Sequence, residues 1–266
     1  MIQVENVSKH FGGVKAVDHA TLTIAEGSIT GLIGPNGAGK TTLFNCIAGA
    51  LSPTEGKILL DGEDITGLQP HELYEKGLMR TFQLAHEFST LTVTDNLMMV
   101  PGDQAGEGLM SAWFQRGKIR EQEQEILARA KDVIDFLNLN QVADELAGNL
   151  SGGQKKLLEL GRTMMVDAKI VLLDEVGAGV NRTLLKDIGD AIIRLNKERG
   201  YTFCMIEHDI DFISRLCDPV IVMAEGTVLA EGKAEEVKSD ERVIEAYLGT
   251  GLKHKTPEQQ RAEGTA

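Results

Sequence analysis

Short apolar segments separated by glycine-containing turns fill the first 33 residues of the chain. Such pieces, alternating or continuous in hydrophobicity, are typical of β-strands. The same pattern returns in the C-terminal half, with helical stretches between the segments. These segments are 169–173, 201–206 and 219–223. Because alternating strands and helices form mainly parallel sheets, the sequence predicts an α/β fold.

A helical pattern replaces the strand pattern between about residues 84 and 150. Apolar residues recur there at helical spacing, at Ile126, Ala130, Val133, Ile134 and Leu137. We therefore expect a helical insertion subdomain at 84–150, within a core formed by 1–83 and 151–250. The polar, aperiodic segment 251–266 is predicted to be a flexible tail.

Acidic residues outnumber basic ones, 40 to 27, which gives the chain a net charge of −13. This charge argues against binding nucleic acid or anionic lipid through bulk electrostatics, so we expect no nucleic-acid partner. The three cysteines form no CxxC pair, so neither a zinc cluster nor a disulfide framework is indicated. With neither a signal peptide nor an apolar run long enough to span a bilayer, the chain is expected to meet a membrane only through a partner.

The glycine-rich segment 34–41 matches the phosphate-loop pattern, with a predicted strand before it and a predicted helix after it. Backbone N–H groups in such a loop converge on phosphate oxygens. We expect Lys40 to hold the β- and γ-phosphates of a nucleotide and Thr41 to offer its hydroxyl to Mg²⁺. The predicted nucleotide-binding residues of this segment are Gly34, Pro35, Asn36, Gly37, Ala38, Gly39, Lys40, Thr41 and Thr42.

Two adjacent carboxylates, Asp174 and Glu175, end an apolar run that begins at residue 169. A buried parallel strand places such residues at its carboxyl end, where ligands bind in α/β sheets. Since successive strand residues point in opposite directions, the two acids are expected to have different roles. Asp174 is predicted to reach Mg²⁺, directly or through water, and Glu175 to polarise the attacking water.

A second glycine-rich helix start is predicted where Leu150 precedes an amphipathic stretch. One interpretation is a simple helix cap by Ser151. In a functional interpretation this helix end binds an anion, either on the nucleotide of its own chain or on that of a neighbouring chain. The residues concerned are Ser151, Gly152, Gly153 and Gln154.

The string at 150–154 resembles the signature of the ATP-binding cassette family of ATPases, and the other motifs occur in that family's order. The resemblance implies that Gln83 touches Mg²⁺ and the attacking water, and that His208 contacts the γ-phosphate. It also implies that Phe11 stacks on adenine beside Val17. The implied fold is a phosphate-loop NTPase core with an antiparallel N-terminal β subdomain and a helical insertion. The implied activity is MgATP hydrolysis that drives transport, with two chains enclosing two nucleotides head to tail.

Two positions depart from the family pattern, which usually has proline at both. Val176 follows the catalytic glutamate, and Arg182 follows the asparagine of the next loop. The loop between them is therefore expected to be less rigid than in the family. This affects the expected coupling between subunits more than hydrolysis, since both acids are present.

Within the family, the stretches 43–46 and 243–249 and the insertion at 101–125 resemble the ATPases of branched-chain amino acid uptake systems. Systems for urea uptake or lipopolysaccharide export are the alternatives, as are a soluble cassette ATPase without a transport role and a nucleotide sensor that does not hydrolyse. The resemblance implies transmembrane permease subunits and a second ATPase subunit, identical or related, as partners. A substrate-binding protein would be met only indirectly, and the chain would lie on the cytoplasmic face of the membrane.

Overall fold

The computed structural model describes residues 1–81, 87–102, 116–166 and 168–248. Contacts between residues divide the chain into two units. Unit 1 joins Met1–Gln69 to Cys204–Ala266, and unit 2 is Pro70–Phe203. The insertion predicted at 84–150 falls within unit 2, and its own boundaries stay a prediction.

The described residues form ten strands and nine α-helices. The strands are β1 (Ile2–Phe11), β2 (Val14–Ile24), β3 (Ile29–Ile33), β4 (Glu55–Leu60), β5 (Glu63–Asp64), β6 (Leu78–Arg80), β7 (Ile170–Asp174), β8 (Thr202–Ile206), β9 (Val220–Ala224) and β10 (Thr227–Gly232). The helices are α1 (Lys40–Ile47), α2 (Pro70–Glu75), α3 (Val93–Met98), α4 (Arg116–Phe136), α5 (Gly152–Met164), α6 (Arg182–Arg199), α7 (Ile210–Leu216), α8 (Ala234–Ser239) and α9 (Glu241–Leu248). Within these ranges, no helix combines the length and the apolar character that crossing a membrane requires.

Unit 1 contains an antiparallel sheet with the strand order β2-β1-β4-β5. Alternate residues of its strands are buried, because one face packs against the core and the other faces solvent. The buried members include Ile2, Val4, Leu22, Ile24, Ile58 and Leu60. The predicted antiparallel N-terminal sheet is confirmed.

A second group of strands in unit 1 carries the phosphate loop. Their order is β10-β9-β3-β8, with β3 parallel to β9 and β10 antiparallel to it. Every residue of β3 is buried. Both faces of this strand are therefore covered, and it is apolar or glycine at every position except the buried Thr30.

Unit 2 pairs β6 and β7 in parallel, and most of its other elements are helices. The long helix α4 buries the face that the sequence predicts. Four residues of that face, Ile126, Ala130, Val133 and Ile134, are at most 9% exposed, and Leu137, directly after the helix, is 3% exposed. The helical period at this point of the chain is therefore confirmed, and it reflects burial of a single apolar stripe.

A buried asparagine organises the loop before α3. Asn96 is 0% exposed. Its Oδ1 accepts the N–H of Phe88 at 2.8 Å, and its Nδ2 donates to the carbonyls of Phe88 at 3.0 Å and Thr92 at 2.8 Å. A third carbonyl, of Leu91, lies 3.3 Å from Nδ2. One side chain thus satisfies several backbone groups that would otherwise be desolvated without a partner.

Replacing this side chain should destabilise the protein. We expect Asn96→Ala to lower the free energy of unfolding by about 3 kcal/mol, since it leaves buried backbone groups unpaired. The measurement is urea unfolding followed by circular dichroism. Glu123→Ala, at an exposed position of α4, is the control and should change stability by less than about 0.5 kcal/mol. A loss for Asn96→Ala as small as that of the control would contradict the interpretation.

Candidate nucleotide site

The phosphate loop joins β3 to α1 in unit 1, so the predicted order of strand, loop and helix is confirmed. Three of its glycines have positive φ: Gly34 at 148°, Gly37 at 80° and Gly39 at 93°. Residues with a Cβ atom rarely adopt this backbone. The glycines therefore allow the chain to fold back on itself just before α1.

Two of these glycines are also fixed by close packing. A Cβ atom on Gly34 would overlap the carbonyl oxygen of Met223, the fourth residue of β9. A Cβ atom on Gly39 would overlap the carbonyl oxygen of Ala16 in β2. Nothing lies within 4 Å of the corresponding position on Gly37. The loop is thus held between two strands at its ends, while its middle is open.

The turn between β9 and β10 fixes the loop further. The N–H of Gly226 donates to the carbonyl of Ala38 at 3.2 Å, and the carbonyl of Gly226 accepts the N–H of Asp18 at 2.9 Å. One turn residue therefore bridges the phosphate loop and β2.

Lys40 is the first residue of α1 and is only 6% exposed. Its Nζ donates to the carbonyl oxygens of Gly34 at 2.7 Å and Pro35 at 3.0 Å. A buried ammonium group needs such partners. The following hydroxyl residues differ in exposure, since Thr41 is exposed and Thr42 is partly buried.

The two residues expected to meet adenine differ in accessibility. Phe11, at the end of β1, is 49% exposed, with Lys9 Nζ 5.4 Å from its ring centroid. Val17 is 0% exposed within β2. The Phe11 ring is therefore accessible to solvent, and Val17 lies in the core. The roles of both residues towards adenine stay predictions.

His208 lies between β8 and α7 and is exposed. Its backbone N–H donates to Oε2 of Glu207 at 3.2 Å. The next residue, Asp209, caps α7 by accepting the N–H groups of Asp211 and Phe212, each at 3.0 Å. This cap fixes the backbone that carries the His208 ring.

Sequence reasoning missed a contact between α9 and the phosphate loop. The hydroxyl of Tyr247 takes part in a hydrogen bond with the backbone of Gly34. Burial raises the pKa of this hydroxyl, and the hydrogen bond opposes that shift. In the sequence, the stretch 243–249 indicates only a resemblance to one subgroup of the family. That resemblance does not predict which side chain contacts the loop.

In unit 2, Asp174 is the last residue of β7 and is 5% exposed. Nη2 of Arg80 donates to its Oδ2 at 2.7 Å. Glu175 follows with a φ of 50°, in the left-handed region that non-glycine residues rarely adopt. Strained backbone of this kind is concentrated at functional sites.

The two departures from the family pattern have different surroundings. Val176 is 6% exposed, so an apolar side chain fills the position after Glu175. Arg182 begins α6, and Oδ1 of Asn181 caps this helix by accepting the N–H of Leu184 at 3.0 Å. Proline at the first helical position would preset the backbone, but the cap does not depend on it.

Ser151 caps α5, as the simple interpretation of this segment predicted. Its Oγ accepts the N–H of Gln154 at 3.4 Å, and Oε1 of Gln154 accepts the N–H of Ser151 at 2.9 Å. A Cβ atom on Gly153 would lie 2.7 Å from Cβ of Leu184, so α6 packs where only glycine fits. A Cβ atom on Gly152 would make only an ordinary contact, at 3.7 Å, with the carbonyl oxygen of Gly179 in the loop before α6.

Gln83 lies outside the described residues, and its predicted role is not tested. Its described neighbours carry two ion pairs that sequence reasoning missed. Arg80 pairs with Asp174, and Glu87 accepts from Nζ of Lys155 at 2.5 Å. Both pairs join residues far apart in the chain, and local patterns give no signal for such partners.

The cysteines and the acidic clusters suggest no other chemistry. Burial raises the pKa of Cys46 to about 11 and that of Cys217 to about 12, and it raises the pKa of Cys204 further. Buried thiols of this kind are protonated and unreactive at neutral pH. Across the part of the chain that the structure describes, no group of three or more His, Cys, Asp or Glu side chains could hold a metal ion.

Family comparisons agree with this geometry. The family model described as ABC transporter matches residues 17–178, and the model described as branched-chain amino acid ATP-binding cassette transporter matches residues 227–253. The chain belongs to the ABC transporter family. It is an ATPase of that family, and its fold is that of the family's phosphate-loop NTPases.

Similar sequences extend over nearly the whole chain. The probable branched-chain amino acid transport ATP-binding protein LivG of Archaeoglobus fulgidus is 40% identical and covers 94% of this chain and 95% of its own. The high-affinity branched-chain amino acid transport ATP-binding protein BraF of Pseudomonas aeruginosa is 36% identical, and the match covers 94% of this chain and 98% of BraF. The high-affinity branched-chain amino acid transport ATP-binding protein LivG of Escherichia coli is also 36% identical, over 94% of this chain and 98% of its own.

Solved structures of ABC cassettes are similar as well. The ADP conformation of MJ1267 has a TM-score of 0.81 and 38% identity, over 94% of this chain and 98% of that one. A dimeric cassette, MJ0796 in a post-hydrolysis state with ADP and Pi, has a TM-score of 0.71 and 26% identity. The match covers 88% of this chain and 99% of that one. Both of these cassettes are thus described with ADP, and MJ0796 is described as a dimer.

The loop packing predicts different effects for two glycine substitutions. Gly37→Ala should destabilise the nucleotide-free protein by about 1–2 kcal/mol, the cost of placing a Cβ atom in the left-handed region. Gly39→Ala should cost more than about 3 kcal/mol, because it adds overlap with the Ala16 carbonyl to the same backbone strain. Urea unfolding without nucleotide measures both. Equal losses would show that packing against β2 does not constrain the loop.

Proposed function

We propose that this chain is the ATP-hydrolysing subunit of an ABC importer for branched-chain amino acids. The observation that carries the proposal is the match of residues 227–253 to the branched-chain amino acid cassette model. Relatives named for this transport, 36–40% identical over 94% of the chain, support it. None of the relatives described above is named for urea uptake, lipopolysaccharide export or a role outside transport.

Lys40 and the phosphate loop bind the triphosphate in this proposal. Lys40 Nζ donates to two carbonyl oxygens of the loop, which are neutral acceptors. Bound phosphate would offer Nζ charged oxygen acceptors in their place or in addition to them. Charge-assisted hydrogen bonds of this kind are about twice as strong as neutral ones. The packing of Gly34 and Gly39 keeps the loop backbone in place before ATP arrives.

Thr41 and Asp174 are the proposed protein groups for Mg²⁺. A hydroxyl and a carboxylate are hard oxygen donors, which fit this ion, and Mg²⁺ commonly takes few protein groups beside substrate phosphates and water. The bound ion would supply charge neutralisation at the β- and γ-phosphates. Gln83 is proposed to contact the ion and the attacking water, as in the family resemblance.

Glu175 is the proposed general base. Its backbone is held at a φ of 50°, between the buried Asp174 and the buried Val176, which limits the positions its carboxylate can reach. Phosphoryl transfer depends mainly on positioning and on stabilising charge, so a carboxylate of restricted orientation suits the task of orienting water. The proposed role of His208 is to contact the γ-phosphate, and Phe11 is proposed to stack on adenine.

The segment around Ser151 is proposed to complete the nucleotide site of a second ATPase subunit. The helix end at Gly152 and Gly153 presents N–H groups and the positive end of a helix dipole. The dimeric relative MJ0796 supports an arrangement of two cassettes. In this proposal Ser151, Gly152, Gly153 and Gln154 face the partner's γ-phosphate.

The permease partner is proposed to contact unit 2. A cavity of about 510 Å³ in this unit is lined by Tyr74, Met79, Phe88 and Met99 among others. Three of these apolar residues are well exposed: Tyr74 at 38%, Phe88 at 46% and Met99 at 53%. Such a cavity fits a cytoplasmic segment of a permease, which would hold the ATPase at the membrane. The substrate-binding protein would then act only through the permease.

Removing the proposed base should stop hydrolysis without preventing ATP binding. Glu175→Gln is expected to lower the hydrolysis rate by about 100-fold or more, as for loss of a general base. Glu225→Gln is a matched control, since Glu225 also has a φ of 50° and is exposed in the turn before β10. In cells that lack this gene, wild type and Glu225→Gln should restore uptake of radiolabelled leucine, and Glu175→Gln should not.

Two outcomes would contradict this proposal separately. Hydrolysis by Glu175→Gln within about threefold of wild type would remove its role as the base. Leucine uptake that does not depend on the gene, with hydrolysis intact, would instead reject the proposed substrate and leave the ATPase assignment unaffected.

Mixing two inactive variants tests the shared site. Lys40→Ala removes a phosphate contact from one chain, and Ser151→Arg blocks the signature of the other. In mixed dimers one composite site keeps both intact groups, so hydrolysis should exceed the sum of the separate variants. Affinity tags on the two variants verify that mixed dimers form. Mixed dimers without added activity would contradict a site shared between chains.

A further inference from the structure

Arg80 and Asp174 form a buried ion pair at the ends of two neighbouring strands. Nη2 of Arg80 lies 2.7 Å from Oδ2 of Asp174, and the side chains are 17% and 6% exposed. Strand pairing fixes both backbones, since Arg80 lies opposite Leu172, and the N–H of Thr81 donates to the carbonyl of Leu172 at 2.9 Å. The pair therefore has a defined geometry rather than the variable one of surface charges.

The guanidinium group restricts how the carboxylate can turn. A buried carboxylate without a charged partner is energetically unfavourable, so breaking this contact would cost free energy. The contact uses Oδ2, one of the two carboxylate oxygens. The group can therefore remain bound to Arg80 while its second oxygen serves another ligand. Groups that hydrogen-bond to a metal-ligating carboxylate fix its orientation and raise metal affinity.

We propose that Arg80 is a positioning residue for Mg²⁺, which orients the Asp174 carboxylate towards the ion or its water. This rests on the role of Asp174 in the proposed function.

Two other roles for the pair give different results. If Arg80 competed with Mg²⁺ for the carboxylate, its removal would strengthen metal binding. If the pair served only to stabilise the fold, its removal would lower the melting temperature and leave the metal affinity of the folded protein unchanged. Metal affinity measured without turnover therefore separates the three roles.

The experiment titrates Mn²⁺ into protein that is saturated with ADP, with free Mn²⁺ detected by electron paramagnetic resonance. Arg80→Ala should weaken Mn²⁺ binding by about 10- to 100-fold, the usual effect of losing a group that orients a metal ligand. Arg80→Lys should recover part of the loss, because it keeps the charge but not the planar guanidinium. Affinity for ADP in the presence of EDTA should change by less than about threefold, since no phosphate contact is removed.

Two further variants make the result interpretable. Arg162→Ala removes another arginine that lines the same cavity as Arg80 and should leave Mn²⁺ binding unchanged. Asp174→Asn tests the group that Arg80 is proposed to orient, and it should weaken Mn²⁺ binding at least as much as Arg80→Ala. If Arg80→Ala does not fold, Arg80→Lys alone decides, with an expected loss of severalfold.

Unchanged or tighter Mn²⁺ binding in the Arg80 variants, together with weaker binding in Asp174→Asn, would overturn the positioning role and leave the function of Asp174 intact. Unchanged binding in Asp174→Asn would instead reject the proposed metal role of Asp174, and the inference about Arg80 with it. The Mg²⁺ concentration that half-saturates ATP hydrolysis should rise in the same order as the Mn²⁺ dissociation constants.

Discussion

The phosphate loop depends on two positions where no side chain fits. The carbonyl oxygens of Met223 and Ala16 occupy the space that Cβ atoms on Gly34 and Gly39 would need. Backbone from β2 and β9 therefore packs directly on the loop, and the turn at Gly226 joins them. Because protein interiors are close-packed, these contacts hold the loop in one conformation without a ligand. The N–H groups that we propose to bind phosphate are in place before ATP arrives, which would reduce the entropy lost on binding.

Partly buried ion pairs connect separate elements in the described part of unit 2. Arg80 pairs with Asp174, and Lys155 pairs with Glu87, so charged groups on different elements fix one another. A buried ion pair contributes little net stability, but breaking one is strongly unfavourable. Such pairs therefore define orientation more than they add to stability. Orientation is also what phosphoryl transfer requires of a protein.

Much of this arrangement could be predicted from the sequence, because it depends on local spacing. The phosphate loop, the cap by Ser151 and the buried face of α4 each follow from residues within a few turns of one another. The Arg80–Asp174 pair joins residues 94 positions apart, and no local pattern specifies it. The hydrogen bond between Tyr247 and Gly34 is a tertiary contact of the same kind. The left-handed backbone of Glu175 was also beyond prediction, since its side chain does not favour that conformation.

The capping box at α5 affects the strength of the proposed contact between two cassettes. Oγ of Ser151 and Oε1 of Gln154 are 2.9 Å apart, so the serine hydroxyl has a partner within its own chain. A phosphate oxygen from a neighbouring chain would replace that partner rather than fill an empty place. Replacing one hydrogen bond by another yields only the difference between them, typically about 1 kcal/mol. A contact of that strength would be readily broken after hydrolysis, which would suit the proposed interface to repeated cycles of association and release.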